Sequence, residues 1–435
     1  MIRFINHASF MVSRGETALV CDPWIAGTAF DDGWRLIVET DHPALEAVTH
    51  IWYSHEHPDH FSIGFLRGIP ESRRGQIEVL YQRTADKRVV GFCRKLGYRV
   101  RELDDGEGVT LGDDIRLTIG KVPFYDSWGL IETPDYRLLN SNDCILEKPE
   151  RLKLIKRHVD ACDIVFTQFS YANWQDSRRN PAARRALAAD KLNRIRLQCE
   201  AFRARFVVPF ASFVYFSHAE NDYMNADINT PEAAVRYIAQ HCNAQPVLLE
   251  PNEQWDGRTP KPNASAIAYW KEKYAAALAS DKQQPGPSIP IPALAQKAAA
   301  MIERVRAKNN YLLIRAMHLC RILRPAAFLL VDQDRAVTFD WVHGLRPLGD
   351  VPGDAIQIHS SSLAFILDHD FGVDTVNVNA RFETDVAGKK RMVRLFSVLA
   401  LKNTGRNIRI RDIGRYLNPP FLLQGLRTVG LFRSG

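Results

Sequence analysis

The sequence predicts an α/β layered protein followed by a smaller α+β domain. Three observations carry that reading. Strand-like and helix-like segments alternate from residue 2 to about 255. A proline-rich spacer follows, and beyond it the pattern resumes with a different order of elements. We take residues 1–275 as the first domain, 276–292 as the linker and 293–435 as the second.

Residues 2–24 read as a β-meander, with Ile2–Phe4, Ser9–Val12 and Ala18–Cys21 as strands and Arg14-Gly15 as a turn. The last strand ends in Asp22-Pro23-Trp24, where Asp22 either starts a turn or orients metal ligands without binding the metal itself. Val48–Tyr53 is an apolar strand. A helix is expected over Thr84–Leu96, strands over Ile77–Tyr81, Tyr98–Leu103, Ile115–Val122 and Tyr136–Ser141, then a strand over Ile164–Gln168 and an amphipathic helix over 182–204. Phe206–Phe213 and Val247–Glu250 read as strands and Pro231–His241 as a helix. In the second domain, Ala293–Leu323 reads as one long helical stretch, Phe328–Val331 and Ala336–Trp341 as a hairpin, Ser361–Asp368 and Lys390–Leu401 as helices, and Ala355–His359 and Val373–Phe382 as strands.

The chain has 435 residues, a formal charge of +7 and seven cysteines without a CxxC pair. Neither a disulfide framework nor a thiolate zinc site is indicated, and a reduced, cytoplasmic protein is the expectation. No apolar run is long enough to span a bilayer. Two basic stretches stand out: Arg178, Arg179, Arg184, Arg185, Arg194, Arg196, Arg203 and Arg205, then Lys389, Lys390, Arg391, Arg394, Lys402, Arg406, Arg409, Arg411 and Arg415. Each is either a solvated helix face or an attractor for a small anionic substrate. No nucleic-acid module is visible, so nucleic acid is not expected as a partner.

The chemistry concentrates in Ser54-His55-Glu56-His57-Pro58-Asp59-His60, directly after the apolar strand. Three imidazoles and two carboxylates beside a core are costly to desolvate, and a bound divalent cation would offset that cost. On a strand His55 and His57 share a face, while Pro58 turns the chain and sends Asp59 and His60 to a second position. Two metal ions are therefore expected. His7, in Asn6-His7-Ala8-Ser9-Phe10, sits at a strand junction and either faces the site or is a hydrogen-bonded structural histidine, the reading its residues alone favour.

The His-x-His-x-Asp-His pattern, with the opening Asn6-His7-Ala8-Ser9-Phe10 and Asp22-Pro23-Trp24, resembles the metallo-β-lactamase superfamily, including its branch of ascorbate-phosphate lactonases and phosphatidylethanolamine-directed phospholipase D. The resemblance covers roughly residues 1–255 and implies an αββα sandwich. It also implies further ligands: a bridging aspartate, for which Asp143 fits, and a final histidine, for which His218 fits. No histidine lies between His60 and Asp143, so the family's third histidine is missing, and Asp126 is the substitute. The implied set is His55, His57 and Asp126 on one metal and Asp59, His60 and His218 on the other, with Asp143 between. Two divalent ions, three carboxylates and a bridging hydroxide bring the charge near zero. The extra oxygen ligand moves the preference from zinc toward iron or manganese.

Asn142-Asp143-Cys144, Asp126-Ser127-Trp128 and Val208–Phe213 with His218 are also similar to the CMP-N-acetylneuraminate hydroxylase group, whose members carry this fold beside a Rieske domain. No Rieske ligand set occurs here, so an oxygenase would take electrons from a redox partner or from its substrate. Ile356–Leu363 and Phe371–Thr375 faintly resemble sterol-carrier-like domains; a dimerisation or lid domain is the alternative. The expectation ranked first is a dinuclear metal hydrolase that attacks a phosphorylated, nucleotide-linked or carboxylated substrate through a metal-bridging hydroxide. Asp59 or Asp143 would accept the proton, and His7 or Tyr171 would stabilise developing charge. The alternative is a dinuclear iron oxygenase. A catalytically dead scaffold ranks well behind.

Overall fold

A computed structural model describes residues 1–41, 47–112, 114–122, 126–144, 146, 149–399 and 408. Pro123, Phe124 and Tyr125, and Ala400, Leu401, Lys402, Arg406, Arg409, Arg411 and Arg415 of the carboxy-terminal stretch, lie outside the described residues.

The chain divides into two compact units: Met1–Ala172, Arg184–Phe216 and Asn225–Asp281 form the first, and Asn173–Ala183, Ser217–Met224 and Lys282–Gly435 the second. The stretch taken as linker carries the last turn of the helix Ala264–Ala279 and the first turn of Ile291–Arg306.

In the first unit two seven-stranded sheets lie on one core. The first sheet runs, edge to edge, Gln254–Trp255, Ile2–Asn6, Ser9–Arg14, Thr17–Cys21, His50–Tyr53, Glu78–Gln82 and Arg99–Leu103. The second runs Gln245–Pro246, Phe206–Phe210, Ile164–Gln168, Arg137–Asn142, Ser127–Glu132, Ile115–Lys121 and Gly108–Leu111. Inward side chains of both sheets interdigitate, as in the stacking of Phe10 on Phe166 with centroids 4.6 Å apart. Where Trp52 of the first sheet crosses the strand Ser127–Glu132 of the second, only a glycine fits: a Cβ on Gly129 would stand 2.6 Å from the indole. On its other face the first sheet is covered by Ile63–Gly68 and Arg88–Lys95, whose Phe65, Leu66, Val89 and Val90 are buried. This is the expected α/β sandwich.

The helix Pro181–Phe202 buries Arg184, Ala188, Ile195, Gln198, Cys199 and Phe202, a stripe of helical period that includes two polar residues. Both are satisfied, Arg184 by Asp227 Oδ2 at 2.8 Å and Gln198 by the Ser141 hydroxyl at 2.9 Å. The arginines around this helix are mostly paired locally: Arg185 with Asp227, Arg194 with Asp190, Arg196 with Glu200 and Arg203 with Asp160. That pairing favours the solvated-face reading of the first basic stretch. No strand forms over Val247–Glu250; the edge strand is Gln245–Pro246.

The second unit has a four-stranded sheet in the order Gly344–Pro347, Arg335–Asp340, Ala326–Leu330 and Ile356–Ile358, with five helices of the carboxy-terminal half around it among the described residues. The expected helix 293–323 is two helices, because the Asn310 side-chain carbonyl accepts from the Leu312 and Leu313 amides and starts a new one, Tyr311–Leu319. The expected strand 373–382 is instead the helix Gly372–Asn379. Its apolar residues Val373 and Val376 are buried at helical spacing, so the valine-rich composition misled the reading. Among the described residues no helix is long and apolar enough to cross a membrane.

Candidate metal centre

The site lies at one edge of the two sheets. Thr17–Cys21 and His50–Tyr53 are parallel neighbours, with Cys21 opposite Trp52, so Asp22 and Ser54 leave the sheet side by side. Asp143, which follows Arg137–Asn142 of the second sheet, leaves at the same edge, as the ion-pair distances below show. Carboxyl ends of parallel strands are where the backbone is free to turn and present side chains.

The histidine motif is a loop and not a strand, contrary to expectation, since pairing stops at Tyr53. Its shape is fixed by hydrogen bonds instead. The Ser54 amide and hydroxyl donate to the two oxygens of Asp22 at 2.7 and 2.6 Å, and the Ser54 carbonyl accepts from Ser127 Oγ and Gln82 Nε2. A turn closes with the His60 and Phe61 amides on the His57 carbonyl. His55 Nε2 still comes within 3.0 Å of His57 Nδ1.

Two groups of donor atoms result, each within 4.8 Å: His7, Asp59 and His60, and His55, His57 and Asp143. His7 Nε2 is 3.4 Å from Asp59 Oδ2, and His60 Nε2 is 3.5 Å from the same oxygen. Asp143 Oδ2 lies 3.7 Å from His55 Nε2 and 3.7 Å from His60 Nε2, so it touches both groups. Its side chain keeps 20% exposure, whereas His7, Asp59 and His60 are enclosed, so the His55 side of the centre faces outward.

The backbone around these residues is strained. His7, Asp22, Asn142 and Ala211 have φ of +36°, +42°, +37° and +48°, in the left-handed region that non-glycine residues avoid. Each is tied down: the Ala211 amide donates to the His7 carbonyl, and Asn142 donates to the Ser127 carbonyl while accepting from the Asp143 amide.

The electrostatics suit cations. Burial holds His7 and His55 below the ordinary imidazole range, as ligands must be neutral. Burial also opposes protonation of His60, but Asp59, Asp143 and Asp22 outweigh it and lift His60 to about 10. Asp126 is buried at the same centre, and burial together with the Asp143 charge pushes its carboxyl well above the usual range. Both ring nitrogens of His7, Nε2 of His60, and Oδ1 of Asp59 and of Asp143 are buried without a hydrogen-bond partner. Such orphaned atoms cost about 1–3 kcal/mol each unless something fills their lone pairs. Divalent metal ions fit this donor set.

Three other expected residues are not members of these two donor groups. Asp126 is in neither three-residue group. His218 belongs to the second unit, with Nδ1 3.3 Å from Glu220 Oε2, and is likewise in neither. His7 supplies the third donor atom beside Asp59 and His60, where the sequence suggested charge stabilisation. Tyr171 is buried with its ring 6.4 Å from Phe216. Reading the sequence missed Ser54, Trp24, whose ring is 5.6 Å from His7, and Phe30, 5.8 Å from His57. The only signal for Ser54 was its position between a buried strand and the first histidine.

Sheet order, loop site and donor set define the first unit as a metallo-β-lactamase fold, and residues 1–123 match the family model described as the beta-lactamase superfamily domain. Among individual proteins, the chain is similar to the cytidine monophosphate-N-acetylneuraminic acid hydroxylase of Danio rerio, 27% identical over 160 residues (35% of this chain, 27% of that protein). It is also similar to that of Cricetulus griseus, 24% identical over 261 residues (56% and 45%). These matches span less than half the length of the curated relatives. Solved structures with some likeness include CmlA, a diiron β-hydroxylase from Streptomyces venezuelae (16% identity, 57% of this chain and 52% of that, TM-score 0.39). Another is isothiocyanate hydrolase from Delia radicum gut bacteria (12%, 58% and 97%, TM-score 0.41). At these scores neither bears on the reaction.

Proposed function

We propose that this protein is a dinuclear metal enzyme that hydroxylates a small anionic substrate of the nucleotide-linked acidic sugar class. The observation that carries the reading is the similarity to hydroxylases of such a substrate, taken with a carboxylate-rich donor set. His7, Asp59 and His60 would hold one ion and His55 and His57 the other, with Asp143 shared and Asp126 as an additional oxygen ligand. Iron is the metal such a mixed imidazole and carboxylate set suits for this chemistry, with zinc and manganese as the competing ions. Bound iron ions would supply dioxygen activation, with two electrons from a separate redox protein. The chain's own contribution is to orient: Asp22 fixes the His60 ring, Ser54 fixes Asp22, and Trp24 and Phe30 pack against the His7 and His57 rings.

A hydrolase is the second reading, ranked first on sequence alone. The two adjoining donor groups that share Asp143 favour it, because two divalent ions held there would lower the pKa of a water between them. Zinc, iron and manganese in the purified protein, together with substrate-dependent oxygen uptake in the presence of an electron donor, separate the two. Iron with oxygen uptake is expected; zinc occupancy with no oxygen consumption sinks the hydroxylase.

A further inference from the structure

We infer that the second unit carries a metal site of its own, built from His318, Asp340 and His343 and taking a divalent transition ion such as zinc. One donor atom from each of the three residues lies within 4.8 Å of the other two. They come from three elements: the last turn of the helix Tyr311–Leu319, the end of the strand Arg335–Asp340, and the turn before Gly344–Pro347.

The local structure explains the convergence. Asp340 Oδ1 accepts the amides of Val342 and His343 at 2.8 and 2.7 Å, which folds the turn back over the carboxylate. The His343 ring then lies with Nδ1 3.1 and 3.2 Å from the two oxygens. The His318 ring sits edge-on to His343, with centroids 5.9 Å apart and planes at 72°. Arg346 Nη2, 3.0 Å from Asp340 Oδ2, completes the group.

A turn cap and an ion pair account for Asp340 and Arg346. They do not account for His318. Its Nδ1 is buried with no hydrogen-bond partner, which is unusual for a buried polar atom. A cation bound by the two histidines and Asp340 gives the His318 ring a polar partner that the turn cap and ion pair do not. A carboxylate offers about four lone-pair positions, so Asp340 can keep its turn and Arg346 while lending one to a metal. Two imidazoles exclude calcium and magnesium as the natural occupant and favour zinc or a neighbouring ion. The His343 side chain is 53% exposed, so the ion can enter from solvent and keep a position for an outside ligand. His343 also borders a cavity of about 220 Å³ shared with Glu303 and Arg306, where such a ligand has room.

The test is the zinc content of the full chain after equilibration with zinc and dialysis. His343→Gln and His318→Gln should each bind one equivalent less than the unsubstituted protein, and the double variant no less than either. A His55→Gln/His57→Gln variant should still lose one equivalent when His343→Gln is added. An unchanged zinc count in His343→Gln overturns the site. If His318→Gln does not fold, His343→Gln, on an exposed side chain, decides alone. The result does not depend on which reaction the first unit performs.

Discussion

Asp22 Oδ2 lies 2.9 Å from His60 Nδ1, with both side chains fully buried. The same oxygen accepts the Ser54 hydroxyl, and the other accepts the Ser54 amide. An acceptor on Nδ1 fixes the proton there and leaves Nε2, which has no partner, directed toward Asp59 and Asp143. Asp22 therefore sets which nitrogen of His60 is available to a metal without belonging to either donor group.

Asp22→Asn removes the charge and makes one of its two positions a donor. Metal affinity should fall by about 10–100-fold with the fold retained. Competition against a chromogenic chelator measures this; affinity within twofold of the unsubstituted protein contradicts the orienting role.

Asp143→Ala should cost both metal equivalents, because Asp143 touches both groups through one oxygen. Asp126→His should keep the fold and move preference toward zinc. Metal analysis after growth with mixed iron and zinc reads both variants. Unchanged content and selectivity in Asp126→His would remove Asp126 from the ligand set.

Gly129→Val should destabilise the first unit by about 1–3 kcal/mol, the usual range for overpacking. The added Cβ alone would stand 2.6 Å from the Trp52 ring, and Trp52 lies on the strand that delivers the histidine loop. Urea denaturation gives the stability loss, and metal affinity should fall with it. A midpoint equal to that of the unsubstituted protein would mean that Trp52 moves aside freely.

Lys389 gives a pH prediction. Its ammonium lies 4.8 Å from the Trp174 ring and donates to the Trp174 carbonyl, and burial lowers it to about 8 despite the pull of Asp176. The unfolded chain binds this proton up to the ordinary value of 10.5, and the folded chain releases it near 8. Between those values the unfolded state holds more protons, so the contribution of Lys389 to stability rises with pH. Lys389→Met should abolish that rise. Urea midpoints at about pH 7.5, below the window, and about pH 9.5, inside it, compare the proteins; an identical pH slope in both would refute it.

Much of the first unit was legible because its strands are short apolar runs bounded by turn residues, and their order alternates with helices. Asp22, Asp59, Asp143 and the three motif histidines were legible for a related reason. Ionisable residues at the ends of buried strands have few explanations besides a cation. The helix Gly372–Asn379 was misread because four β-branched residues within eight suit either state, and packing chose the helix.

The sequence by itself determined that a cluster of imidazoles and carboxylates follows a buried strand, and with it the fold and the expectation of two ions. Which residues complete each group was decided only by tertiary structure. His7 and Asp59 are 52 positions apart, and Asp59 and Asp143 another 84. They meet because the turns and strand ends that carry them leave the sheets at one edge. Spacing along the chain holds no record of that, so His7 could not be told from a structural histidine. The backbone that turns through left-handed φ at His7, Asp22 and Asn142 is equally silent in the sequence, since no glycine marks it. That strain is held by hydrogen bonds between segments far apart in the chain, and these exist only once the sheets have packed.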